Sequence, residues 1–118
     1  MPMLADNIFL KIISKDIPAK IVHEDEHCLA FHDIGPKAPV HVLVIPKAHH
    51  ADVAALAVAD PGLAGRVLAT CAAVAEKEGL TGDGYRVIFN TGGFGGQEVF
   101  HVHGHVVGGR PLGPMLSA

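Results

Sequence analysis

The spacing of apolar positions changes character along the chain, and each change of period marks a different element. Ile8, Phe9, Ile12 and Ile13 fall at helical spacing behind a capping residue, Asp6 or Asn7, and Pro18 closes that short helix. KIVHEDEHCLAFHD, from Lys20 to Asp33, then reads as two short strands around the polar turn Glu24–Glu26. GPKAP is a loop of turn formers, and HVLVIPK is a strand ended by Pro46, its β-branched density predicting burial on both faces. The middle is helical. Asp60 and Pro61 make a start signal, with Asp as N-cap and Pro at the first helical position. Leu63, Val67, Cys71 and Val74 then repeat as one apolar stripe ending near Gly79. Gly62 and Gly65 weaken this helix by about 1 kcal/mol each against Ala, and small residues let a partner approach closely. After the turn TGDG come a strand, YRVIFN, a glycine-rich loop, TGGFGGQE, and a last strand, VFHVHGHVV. Strands around one main helix, with no internal repeat, predict an α+β layer fold: an antiparallel sheet covered on one side.

Composition narrows the setting. A length of 118 residues suits one domain spanning residues 1–118, and 49% hydrophobic against 18% charged residues argues for a packed core rather than disorder. The formal net charge of −3 and the lack of a basic run speak against nucleic acid or an anionic membrane as partner. A small phosphorylated ligand remains compatible, because a site can be locally positive in a weakly acidic protein. Cys28 and Cys71 match no C-x-x-C pattern and read as reduced structural thiols. The N-terminal stretch carries Asp6, Lys11, Lys15 and Asp16 without an apolar signal core, and no run approaches the ~18 apolar residues of a membrane span. A soluble, cytoplasmic protein is expected.

The chemistry is concentrated in FHVHGHVV. On an extended strand, alternate side chains share a face, so His101, His103 and His105 line up while Val102, Gly104 and Val106 take the apolar side. Imidazoles titrate nearest neutral pH, so such a line suits a metal site, an acid–base device, or a nucleophile with helpers. Just ahead, Gly92, Gly93, Gly95 and Gly96 let backbone N–H groups approach a ligand and form an anion-binding concavity. Phosphate beside a line of imidazoles is the reading that joins the two. Zinc is the competitor, since histidines at alternate strand positions can ligate it. Gly95 and the His101-x-His103 pair fit the opening of the cupin metal motif. That motif needs a glutamate near Val107 or Gly108, and no acidic residue follows the triad. Metal is therefore disfavoured and no cofactor is expected.

QEVFHVHGHVVGG, together with IPAKIVHEDEHCLAFHDIGPKAPVHVLVIPK and GYRVIFNTGGFGGQEVFHVHGHVVGGRPLGPML, resembles the histidine-triad (HIT) superfamily of nucleotide hydrolases and transferases, in its bacterial Hint form. The resemblance covers nearly the whole chain. It implies a HIT-like fold and a homodimer joined through the main helix and a strand edge into one continuous sheet. It implies hydrolysis of purine nucleoside phosphoramidates to AMP or GMP and an amine, with weaker action on aminoacyl-adenylates, through a nucleotidyl-histidine and without metal. His103 matches the family nucleophile. His101 matches an orienting and relay residue, His105 a contact to phosphate and leaving group, and His41 a fourth histidine extending the relay. Ile8, Phe9, Ile12, Phe31, Ile34 and Leu43 match positions lining the purine pocket, with His32 beside them. Asp33 matches the carboxylate that takes both ribose hydroxyls. Asn90, Gly96, Gln97, Glu98 and Val99 match the loop holding the phosphate. The same resemblance sends the C-terminal GRPLGPMLSA across to the neighbouring protomer's site. It leaves a non-catalytic nucleotide-binding protein as the alternative. Two residues depart from the usual pattern. Glu98 stands where a serine is common, so its backbone N–H is expected to contribute while the side chain turns away. Gly104 stands where a larger side chain is common, and is expected to loosen the strand or open space beneath the triad.

Overall fold

A computed structural model describes residues 7–116 and places five strands in one antiparallel sheet of order β1-β2-β3-β5-β4. The chain enters through helix α1, Ile8–Ile13, capped by Asn7, whose Oδ1 accepts the N–H groups of Phe9 and Leu10 at 2.9 and 3.4 Å. The cap is thus Asn7; Asp6 lies outside the described residues. The helix stops well before Pro18, at a turn where Lys15 takes φ +69°.

Strands β1 (Ile21–Glu24) and β2 (Cys28–His32) form the expected hairpin, its turn closed by Asp25 Oδ1 accepting the N–H groups of His27 and Cys28 at 2.8 and 2.9 Å. Strand β3 (Val40–Pro46) is the sheet's centre and is buried from His41 to Pro46, as its two-faced apolar run predicted. Helix α3 (Pro61–Lys77) starts at Asp60, whose Oδ1 accepts from Leu63 N–H at 3.0 Å, and ends before Gly79 at φ +75°. Its stripe of Leu63, Val67, Cys71 and Val74 packs on Val22, Ala30, Val42, Val44 and Val106 to make the main core.

Two features depart from expectation. A further helix, α2 (Val53–Ala59), precedes α3; its VAALAVA sequence is apolar on every side, yet only Leu56 is buried, so no periodicity announces it. The sheet is also covered on both faces. Phe9 and Ile12 of α1 pack on Leu29, Phe31, Leu43 and Ile45, forming a second cluster opposite α3. The alternating pleat explains this: successive residues of β2 and β3 feed the two clusters in turn.

Strands β4 (Tyr85–Phe89) and β5 (Gly104–Gly108) complete the sheet. The last strand is shorter than VFHVHGHVV predicted, pairing only from Gly104 onward. Val44 opposes Gly104, and continuing the ladder would reach Pro46, which has no N–H to offer. Instead Val102 N–H turns to His50 O at 2.8 Å. No helix among the described residues is long and apolar enough to cross a membrane.

Candidate active site

The face under α1 receives every second residue of the central strands. His41 of β3 and His105 of β5 project there, and His101 and His103 reach the same side although they precede the paired strand. Phe9 of α1 meets His103 and His101 edge-on at ring-centroid distances of 5.0 and 6.2 Å. His103 and His105 are 4.9 Å apart, and His105 and His41 5.2 Å. The structure therefore brings together the four histidines proposed from sequence, in the order His101, His103, His105, His41.

Their hydrogen bonds fix where each ring carries its hydrogen, because a carbonyl can only accept. His103 Nδ1 lies 2.8 Å from His101 O, so Nδ1 is protonated and Nε2 keeps a bare lone pair. His41 Nδ1 accepts from Lys37 N–H at 3.1 Å, which puts the hydrogen on Nε2, donated to His105 Nδ1 at 2.9 Å. His105 must then carry its own hydrogen on Nε2. His101 is fully buried and donates Nε2–H to Pro46 O at 2.8 Å. Its Nδ1 faces Asn7 Nδ2 at 3.1 Å and His49 Nδ1 at 3.2 Å. Thus His101 orients its neighbour through its backbone carbonyl, while the relay part falls to His41 and His105.

All four rings are held neutral. Burial pulls His101 down to about 4, against the favourable Pro46 carbonyl, with the nearby histidines adding to the fall. Burial, then His103 and His41, pull His105 down to about 4. His103 and His41 are lowered by burial too, opposed for His103 by the His101 carbonyl and the charges of Asp33 and Glu98, and for His41 by Asp33. A neutral imidazole with one nitrogen tied down and the other bare is an activated nucleophile. The adjacent His105 Nε2–H is a donor.

Beside the triad, the glycine-rich loop is braced from within. Gln97 Oε1 accepts Gly92 N–H at 2.9 Å, and its Nε2 donates to Ala51 O and Val99 O at 2.7 and 3.0 Å. Asn90 Nδ2 holds Gly95 O at 2.7 Å. Gly96 takes φ +81°, and a Cβ on Gly95 would stand 2.4 Å from Thr91 O, so glycine is required at both. The Gln97 and Asn90 side chains and the Gly96 and Gln97 N–H groups are committed to loop structure. The Glu98 and Val99 N–H groups find no acceptor among the described residues and are free for an anion. Glu98 is exposed, and Val99 packs on the α1 cluster.

Phe9, Ile12, Phe31 and Leu43 form one buried apolar wall. Ile8, 42% exposed, and Ile34, wholly exposed, stand outside that buried cluster. The pleat turns the His32 ring to the α3 face, 4.0 Å from Glu78. Asp33, the next residue, returns to the histidine face with Oδ2 3.5 Å from His41 Nε2 and Oδ1 accepting Gly35 N–H at 2.7 Å. Asp33, His41 and His105 bring three ligating atoms within 4.8 Å of one another, so the carboxylate that the triad lacks in sequence is supplied in space. His41 already commits both nitrogens to hydrogen bonds, which leaves it no lone pair for an ion. Nor does Gly104 open space: a Cβ there would stand 2.8 Å from Phe89 Cζ and 3.1 Å from Cys71 Sγ.

The HIT domain model matches residues 14–112 of this chain. The chain belongs to the HIT family. It is 47% identical to the purine nucleoside phosphoramidase of Escherichia coli, across 98% of this chain and 97% of that one. An uncharacterised HIT-like protein of Synechococcus elongatus is 52% identical over 93% of this chain and 96% of its own. Among solved structures, a HIT family hydrolase from Clostridium thermocellum superposes with a TM-score of 0.91 at 41% identity, covering 98% of this chain and 100% of that one. The HIT fold is thus shown in sequence and in space. Sequence reasoning missed two residues that meet the buried His101 ring. Asn7 was legible only as a helix cap, and His49 sits in a polar loop with no period to mark it; their joint contact with His101 is a product of the fold.

Proposed function

We propose that this HIT-family chain is a purine nucleoside phosphoramidate hydrolase, releasing AMP or GMP and an amine. The observation that carries the reading is the His103 ring, neutral and bonded through Nδ1 to His101 O, with Nε2 bare beside the His105 donor. The identity to a protein named purine nucleoside phosphoramidase supports the substrate class. In the first step the Nε2 lone pair attacks the α-phosphorus and the P–N bond breaks. Its electron pair leaves on the amine nitrogen, which is held by the His105 Nε2–H hydrogen bond and takes up a proton from solvent. In the second step water attacks the nucleotidyl-histidine, returning Nε2 to its bare state, freeing the nucleoside monophosphate and giving a proton back to solvent. His41 Nε2–H, bonded to His105 Nδ1, keeps the His105 donor aimed through both steps.

The base stacks on the Phe9, Ile12, Phe31 and Leu43 wall, Asp33 takes the ribose hydroxyls with two acceptor oxygens, and the Glu98 and Val99 N–H groups hold the phosphate. Aminoacyl-adenylates, with an acyl phosphate bond in the same place, are weaker substrates. The protein acts in the cytoplasm, where its two buried free thiols stay reduced. It works as a homodimer joined at α3 and the β4 edge. Among the described residues β4 ends the sheet with one side unpaired, and Val87, Ile88 and Leu68 are exposed there.

A fluorogenic adenosine phosphoramidate assay in EDTA tests the reading. Wild-type protein turns the substrate over without metal, and His103→Ala abolishes turnover while AMP still binds by calorimetry. Binding without turnover in the wild type assigns a nucleotide-binding role instead, and dependence on added zinc assigns a metal site.

A further inference from the structure

His101 and His103 lie outside the paired strand, so the sheet does not position them; other contacts must. The nucleophile's aim is set by one bond, His103 Nδ1–H to His101 O. That carbonyl is only as fixed as the residue carrying it. The His101 ring is anchored on one side by Nε2–H to Pro46 O. On the other side its Nδ1 lone pair is buried, and a buried acceptor left without a donor is destabilising. Asn7 and His49 both point at it. Asn7 Oδ1 is taken by the α1 cap, so Nδ2 is unambiguously the amide nitrogen facing His101 at 3.1 Å. His49 Nδ1 is 3.2 Å from His101 Nδ1 and 3.4 Å from Asn7 Nδ2. Two bare nitrogens at that distance would repel, so His49 Nδ1 carries a hydrogen and shares the lone pair with the Asn7 amide. The His49 and His101 rings meet edge-on, with centroids 5.0 Å apart. The same loop grips the next residue, Val102 N–H donating to His50 O.

We propose that Asn7 and His49 are positioning residues for His103: they lock the buried His101 ring, and the His101 carbonyl then holds His103 with Nε2 aimed at the substrate. Asn7 does so while capping α1, whose Phe9 packs against His103. Seating the helix that lines the purine wall and orienting the nucleophile are thus one event. The proposal rests on the reading of His103 as nucleophile, but its geometric half can be tested without turnover.

The test uses Asn7→Ser, which keeps a cap-forming side chain and removes the amide. It adds His49→Ala, the double variant, and His49→Gln, which returns an N–H donor. Imidazole nitrogen NMR reads the His103 tautomer directly, and steady-state kinetics on an adenosine phosphoramidate read the consequence. The wild type shows His103 with Nδ1 protonated and Nε2 bare; the double variant shows both tautomers in exchange. Asn7→Ser and His49→Ala each lower kcat roughly ten-fold with KM little changed, the size of one lost buried hydrogen bond, and His49→Gln recovers most of the His49 loss. An unaltered His103 tautomer in a folded double variant overturns the proposal, as does a raised KM with wild-type kcat, which would mark α1 displacement alone. Should wild-type protein fail to hydrolyse the substrate, the phosphoramidase reading falls while the tautomer comparison still decides the positioning claim.

Discussion

Gly104→Ala adds one methyl group between the nucleophile and its neighbour, and the structure sets its cost. The ideal Cβ would lie 2.8 Å from Phe89 Cζ and 3.1 Å from both Cys71 Sγ and Phe89 Cε1. Carbon atoms rest at ~3.5–4.0 Å, so at least about 0.7 Å must be found. Phe89 is half-buried and can yield, whereas Cys71 is locked in α3 at 1% exposure. Overpacking of this kind costs about 1–3 kcal/mol. Against it stands the gain of ~0.5–1 kcal/mol from replacing a strand glycine by alanine, which is realised here because Gly104 does not use positive φ. The clash wins: a net loss of about 1–2 kcal/mol is expected, or roughly 4–8 °C in Tm for a chain of this size. Urea and thermal denaturation at fixed protomer concentration measure it. Phe89→Ala removes the nearer obstruction and leaves Cys71, so in that background Gly104→Ala should cost clearly less, a double-mutant coupling of opposite sign to the clash. Equal losses in both backgrounds would refute the reasoning, as would an alanine variant at least as stable as wild type.

Acid should unfold the protein early. His101 takes up a proton near pH 6.5 when unfolded but only near 4 when folded, so the unfolded state binds more protons between those values and stability falls as pH drops through them. The full shift is worth roughly 3 kcal/mol, with His105 acting in the same direction; chemical denaturation at pH 7, 5.5 and 4.5 checks this, and a flat profile contradicts it. The proposed homodimer predicts a species near twice 12.3 kDa by light scattering, and Val87→Lys on the β4 edge should shift it towards monomer. A wild-type monomer would count against the joined sheet.

Much of the fold was legible from period alone. The stripe on α3 and the two-faced apolar run of β3 announce a helix and a central strand because burial imposes a period of 3.6 or fills both faces. The start at Asp60–Pro61 and the stop before Gly79 were legible because they depend on the residue's own hydrogen-bonding or φ preference. Helix α2 was not: VAALAVA has no polar stripe to set against its apolar one, and its N-cap, Asp52, gives the only local sign. The C-terminal strand was overextended because alternation continues back to His101, while pairing depends on what β3 can offer opposite it.

The site divides in the same way. The alternation His101, His103, His105 is a property of extended backbone, so one shared face follows from the sequence. The glycine-rich loop ahead of it likewise declares itself. The sequence did not assign hydrogens to rings, because a tautomer depends on an acceptor or donor far along the chain: Pro46 for His101, Lys37 for His41, His41 for His105. It did not place Ile34 in solvent. Nor could it show Asp33 beside His41 or Asn7 and His49 converging on one nitrogen. Local sequence determines which face a side chain takes, since that follows from the backbone's own geometry. Which atom it finds there is decided only when distant segments pack, because a hydrogen bond needs a partner within about 3 Å and the chain has no local means of providing one.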